Sequence, residues 1–261
     1  MKNKRLLIIA ALCLSAAILS IQVAAQSEAV GHFINPEMSL IINLEKDTYK
    51  QWEPVILRSR IENKTDTVLT TLIPDIVSEG SILIESGKEK REFDELSIIR
   101  PFLARQPVTL DPGQGLNEEF VLERDLDEFF PKPGVYMIRI LLSSTGGKRI
   151  VSNPVEIHIE SPTGIDKEAL EFIKRNKAHS RYPILFTWNN DVRTENGKTL
   201  LEEFVSKYSG SVYGDYAIYQ LGNYYFVRRE FDKAKIELNK VKNSPISRIA
   251  KESKQTLSNL K

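Results

Sequence analysis

The sequence predicts a two-domain, β + α chain: an antiparallel β-sandwich over residues 38–160, then a short α-helical domain over 166–261. Three observations predict it. Short alternating apolar segments broken by Pro, Gly and Asn fill the first part. Apolar residues recur at three- and four-residue spacing in the second. Charge divides at the same place: residues 26–164 hold 15 basic and 23 acidic side chains, a balance of −8, whereas 165–261 hold 18 and 12, or +6. The whole chain is nearly neutral, at +1, and its 261 residues are 41% apolar, enough for real cores. Neither half carries a basic stripe with interleaved aromatics, which argues against nucleic acid as a partner.

Residues 1–25 read as a secretory signal peptide. Lys2, Lys4 and Arg5 form a basic start, an apolar run covers 6–21, and Val23-Ala24-Ala25 is a small-residue cleavage site. The expected location is therefore secreted or periplasmic, with no membrane span once the signal is cut. An uncleaved anchor is the alternative, because the run approaches the ~20 residues that span a bilayer. Cys13 is the only cysteine, and Leu12 before it is too large for a lipoprotein site. A chain cut after Ala25 has no disulfide and depends on packing alone.

After a polar lead over 26–37, strands are expected at 39–44, 55–61, 68–72, 81–84, 108–110, 120–122, 135–142 and 155–159. Asp111-Pro112-Gly113-Gln114-Gly115 is a turn by its chemistry. Glu53-Pro54-Val55, opening a strand that ends in Glu62-Asn63-Lys64-Thr65, resembles the second strand of bacterial immunoglobulin-like or macroglobulin-like domains. Pro133-Gly134-Val135-Tyr136 is similar to the turn before their penultimate strand, where a tyrosine corner often sits. This resemblance covers about 38–160 and implies an immunoglobulin-like sandwich.

A linker at 161–165 follows. Asp166 is positioned to cap a helix over 167–176, with Ala169, Leu170 and Ile173 on one face. A second helix is expected over 198–208, with Leu200, Leu201, Phe204 and Val205 as its stripe. The apolar run 182–188 between them is too short to assign. From 215 to 248 the spacing is more specific. Leu221-Gly222, then Tyr225, Phe231, Ala234, Leu238 and Val241, with Pro245 following, resemble one tetratricopeptide unit. Gly222 and Ala234 are the small residues that let paired helices approach. Arg229-Glu230 stands at the turn where the family usually has Gly. Residues 204–211 are similar to the joint between repeats in bacterial periplasmic tetratricopeptide proteins, with Ser209 in place of the usual Pro. A last helix over 247–260 would cover the end of the stack. One clear repeat is fewer than the three or so a free solenoid needs, so the sandwich and the flanking helices are expected to serve as its neighbours.

Chemistry-bearing motifs are sparse, and the expectation is a non-enzyme with no cofactor and no metal. His32, His158 and His179 lie far apart with no ligand-spaced His or Cys. Thr145-Gly146-Gly147-Lys148 lacks the preceding glycine of a phosphate loop and reads as a hairpin turn. Glu123, Asp125, Asp127 and Glu128 form an acidic cluster without the Gly-containing loop of a Ca²⁺ site. Asn63-Lys64-Thr65 fits an N-glycosylation sequon.

The one positive signal is aromatic. Tyr216, Tyr219, Asn223 and Phe226 form a stripe along one helix, separate from the Tyr225 face. The tetratricopeptide resemblance implies that this stripe lines a concave groove, with the Asn holding a ligand backbone. The opposing reading packs it against the helix that begins near Lys198. The function expected is extracytoplasmic protein–protein interaction or scaffolding. The alternative is a carbohydrate-binding or cell-envelope module using the sandwich, which would display exposed aromatics there; Trp52 is its only Trp.

Overall fold

Alternation places one set of side chains from each strand inward, and two sheets share the resulting core. The computed structural model describes residues 37–71, 80–93, 107–122, 126–143, 149–176 and 195–260. Among them the fold is mixed β and α, with largely antiparallel sheets followed by helices. The first sheet orders β1 (Met38–Leu44), β3 (Val55–Asn63) and β8 (Gly115–Leu122). The second orders β2 (Thr48–Lys50), β11 (Val155–Glu160), β9 (Gly134–Ser143), β5 (Gly80–Ser86) and β6 (Glu89–Phe93), with β10 (Arg149–Val151) also on β9. The β2–β11 pair alone in that sheet is parallel. β4 (Leu69–Thr71) and β7 (Val108–Leu110) pair separately.

Leu40, Ile42, Leu57, Ile61, Phe120 and Leu122 from the first sheet meet Ile82, Ile84, Tyr136, Ile138, Ile140 and Ile157 from the second. Asn153 ties the layers: its Oδ1 accepts from the Ile42 N–H at 2.7 Å and its Nδ2 donates to the Ile42 carbonyl at 3.0 Å. Tyr136 is buried and donates its hydroxyl to the Lys132 carbonyl four residues back, 2.6 Å away.

The strands β2, β6 and β10 were not foreseen. β2 and β10 have three residues each, and β6 (EKREF) is an edge strand with no apolar alternation. The sequon also changes meaning. Asn63 is fully buried, its Nδ2 donating to the Thr67 and Leu110 carbonyls and its Oδ1 accepting from Thr65. The nitrogen that would carry a glycan is a structural donor in the folded chain.

Six helices complete the described residues: α1 (Leu126–Phe129), α2 (Gly164–Asn176), α3 (Glu195–Tyr208), α4 (Gly214–Val227), α5 (Phe231–Val241) and α6 (Ser247–Ser258). Asp166 does not cap α2, as had been expected. The helix begins at Gly164, three residues before the expected start, the Asp166 and Lys167 N–H groups donate to the Thr163 carbonyl, and the Asp166 carboxylate instead accepts from the Val212 N–H at 2.8 Å. It thereby braces the turn into α4. Of the acidic cluster, Asp127 and Glu128 lie in α1, and Glu123 and Asp125 fall outside the described residues. Residues 1–25 with Cys13, His32, residues 145–148, His179 and the apolar run 182–188 also fall outside them.

Candidate functional site: the aromatic helix and the turn beneath it

A helix that is apolar on every side must be enclosed, and α4 is the centre of the helical part. Eleven of its residues are buried, and α3, α5 and α6 pack around it. Of the positions assigned to the repeat, Leu221, Gly222 and Tyr225 on α4 and Ala234, Leu238 and Val241 on α5 lie in this core, whereas Phe231 is exposed. A Cβ built on Gly222 would stand 2.7 Å from two carbons of Leu238, so the two helices touch where only hydrogen fits. The turn between them is a Schellman motif. The Glu230 N–H reaches the Tyr225 carbonyl and the Arg229 N–H the Phe226 carbonyl, with Arg229 in the left-handed region at φ 62°. Arg thus occupies the conformation for which glycine is the usual residue.

The stripe Tyr216, Tyr219, Asn223 and Phe226 does not line an open groove. Tyr216 is 2% exposed and Tyr219 6%, Asn223 is buried, and only Phe226 is partly accessible. The reason is that the chain supplies its own cover. Tyr216 points at the β part and donates to the Pro54 carbonyl at 3.4 Å, and Tyr219 donates to Glu252 on α6 and bonds Asn223. Burial pushes the phenols of Tyr213, Tyr216 and Tyr219 well up, so they stay protonated donors.

Sequence reasoning missed the junction these residues complete. Tyr213, with no exposed surface, donates to the Gln51 carbonyl at 2.5 Å. Ile56 and Val121, directly opposite one another on β3 and β8, point out of the sheet core into the helical core. Between β2 and β3, the Glu53 N–H closes a turn onto the Lys50 carbonyl at 3.0 Å, with Trp52 at φ 63°. Trp52 is half-buried against the helical core, and the Lys174 ammonium of α2 lies 5.7 Å from its ring. A second contact closes the far side. Glu45 accepts from the Ser247 N–H at 2.9 Å, and Arg58 donates to the Ser247 hydroxyl at 2.8 Å.

Glu53 is a buried carboxyl of this junction, bonded to Lys46 Nζ at 2.5 Å and to the Lys50 N–H at 3.0 Å. Burial raises its carboxyl above the usual 4.5, against the pull of Lys46 and the Lys50 N–H. The sign follows: the folded state holds the proton more tightly than the unfolded state. The contribution of Glu53 to stability is thus full below 4.5 and is lost as pH rises through its raised value. Glu53→Gln should flatten that dependence. Its stability relative to the wild type should rise as pH is raised above 4.5 in denaturant unfolding. A relative fall would show that the Lys46 attraction outweighs burial.

His158 sits on the outer face of β11 with Nε2 2.8 Å from Glu156 Oε1. Among the described residues no group of three or more His, Cys, Asp or Glu side chains could hold a metal, and no helix is long and apolar enough to cross a membrane.

No protein family and no curated protein matches the chain. Among solved structures it is similar to the sporulation control protein Spo0M of Bacillus subtilis. That match has 16% identity and a TM-score of 0.32, over 54% of this chain and 56% of the other. A Listeria innocua β-glucosidase in complex with laminaribiose gives 15% identity and 0.29, over 49% and 16%. A CARDB domain from Pyrococcus furiosus gives 10% and 0.26, over 49% and 92%. The chain spans little more than half of Spo0M and about a sixth of the glucosidase. At these TM-scores the likeness carries no functional argument.

Proposed function

We propose that this is an exported, non-enzymatic scaffold that works by binding another protein. In this reading an immunoglobulin-like sandwich is joined to a tetratricopeptide-like helical unit. The finer fold reading is supported by the Tyr136–Lys132 corner and by the close Gly222–Leu238 contact. The single observation that carries the function is the α4–α5 turn. Phe226, the one accessible member of the stripe, meets Phe231 at 6.2 Å. Phe231 is 44% exposed and Val227 beside it 46%. Exposed Arg229 holds a left-handed backbone in the same turn. Aromatic and Arg side chains gathered on one exposed turn have the composition of a binding hot spot. The carbohydrate-binding alternative needs exposed aromatics on the β part. Among the described residues the exposed large apolar side chains there are Val68, Val135 and Val151.

Two variants test the proposal. Arg229→Gly should stabilise the fold by about 0.5–1 kcal/mol, since the left-handed cost of ~1–2 kcal/mol exceeds the entropic cost of glycine. Phe231→Ala should leave stability nearly unchanged, the ring being half exposed. Both should lose the partner captured from envelope extract by the chain beginning at Gln26. Capture equal to that of the wild type would remove this turn as the binding surface, and no capture by the wild type would remove the scaffold reading.

A further inference from the structure

We infer that the turn at residues 50–53 is an interdomain clasp. Its strained backbone is held in place by the docked helices, and it makes the β and helical parts open as one body. The turn is closed by the Glu53 N–H on the Lys50 carbonyl, 3.0 Å away, and Trp52 occupies its third position at φ 63°. That position of such a turn calls for Gly or Asn, because a Cβ crowds the carbonyl there. A bulky aromatic residue is the wrong choice for the turn taken alone.

What Trp52 gains lies across the junction. The Tyr213 hydroxyl takes the carbonyl on one side of it (Gln51, 2.5 Å) and the Tyr216 hydroxyl takes the carbonyl just beyond Glu53 (Pro54, 3.4 Å). Its ring packs on the helical core below the Lys174 ammonium. Glu53 folds back to the Lys50 N–H and Lys46, which fixes the turn from the β side. Strain at one residue is thereby offset by contacts from α2 and from the turn and helix around Tyr213 and Tyr216. Strained residues persist where their surroundings over-determine them, and here the surroundings belong to both parts of the chain. The Glu45–Ser247–Arg58 contact at the start of α6 keeps the opposite edge shut.

The test is native-state hydrogen exchange on the full chain, read separately for peptides of β9 and α4. In the wild type the most protected amides of both should open with the same denaturant dependence, as one cooperative unit. Trp52→Gly suits the turn and removes the clamp, so α4 should exchange at least about tenfold faster while β9 keeps its protection. Tyr213→Phe keeps the ring and loses only the hydroxyl, and should shift α4 in the same direction by less. Should Trp52→Gly fail to fold, the Tyr213→Phe result decides alone. The clasp is overturned by independent opening of β9 and α4 in the wild type. It is equally overturned by unchanged α4 exchange in the variants, or by a Trp52→Gly chain more stable than the wild type.

Discussion

Tyr219→Ala is expected to destabilise the protein by about 3–5 kcal/mol, the range for truncating a buried aromatic side chain. The ring is enclosed between α4 and α6, and its hydroxyl donates to Glu252, which Arg248 also holds at 2.9 Å. Truncation leaves a cavity in a helical part that has no disulfide to limit the loss. Tyr219→Phe separates the two contributions. It keeps the ring and loses the hydroxyl's bonds to Glu252 and Asn223, of which the one to the charged carboxylate is worth about 1.5–3 kcal/mol. Denaturant midpoints of the two variants check both values. A small shift for Tyr219→Ala would mean that the ring stands in an open groove after all, and the junction would need redrawing.

Gly222→Leu is the second large effect, with an expected loss of about 1–3 kcal/mol by overpacking. Helix propensity works the other way, favouring any ordinary residue over glycine by about 1 kcal/mol. Gly222→Ala is therefore the sharper comparison. Its single added carbon gains that propensity and meets Leu238 at 2.7 Å, so the two effects nearly cancel. Leucine adds three more carbons against a side chain with no exposed surface, and packing should win. Thermal unfolding of the pair checks this. If both variants are more stable than the wild type, the close α4–α5 contact is absent and the tetratricopeptide-like reading proposed above loses its main support.

Much of this architecture was legible in the sequence because it rests on local periodicity. The strand at 55–61 and the helix at 198–208 announce themselves through alternation or three- and four-residue spacing, and the structure extends each by a few residues at one end. The small residues Gly222 and Ala234 were readable for the same reason. The junction was not, because its hydrogen bonds join residues 162 or more positions apart. A signal did exist. Val55-Ile56-Leu57 and Phe120-Val121-Leu122 break strict alternation, and an unbroken apolar triplet in a strand marks burial on both faces. Register then places Ile56 opposite Val121, which makes one apolar spot on the outside of the sheet. The stripe stayed open between groove and core for a related reason: spacing shows which residues share a face, not what lies against it. The helix at 167–176 starts earlier than its acidic residue suggested, because Asp166 is recruited by Val212.

The separation of 162 residues between Gln51 and Tyr213 also sets an order of events. A chain emerging amino end first completes its strands long before α4 exists, so the Ile56–Val121 spot faces water until the helices arrive. Docking closes the longest loops in the molecule, and contacts of such range form late and slowly. A folding intermediate with finished sheets and this spot uncovered is the species most exposed to aggregation or to chaperone capture. The last step to the native state is then the docking of the helices, which brings Tyr213 and Tyr216 onto the carbonyls that flank Trp52 and Glu53 and Ser247 onto Glu45 and Arg58.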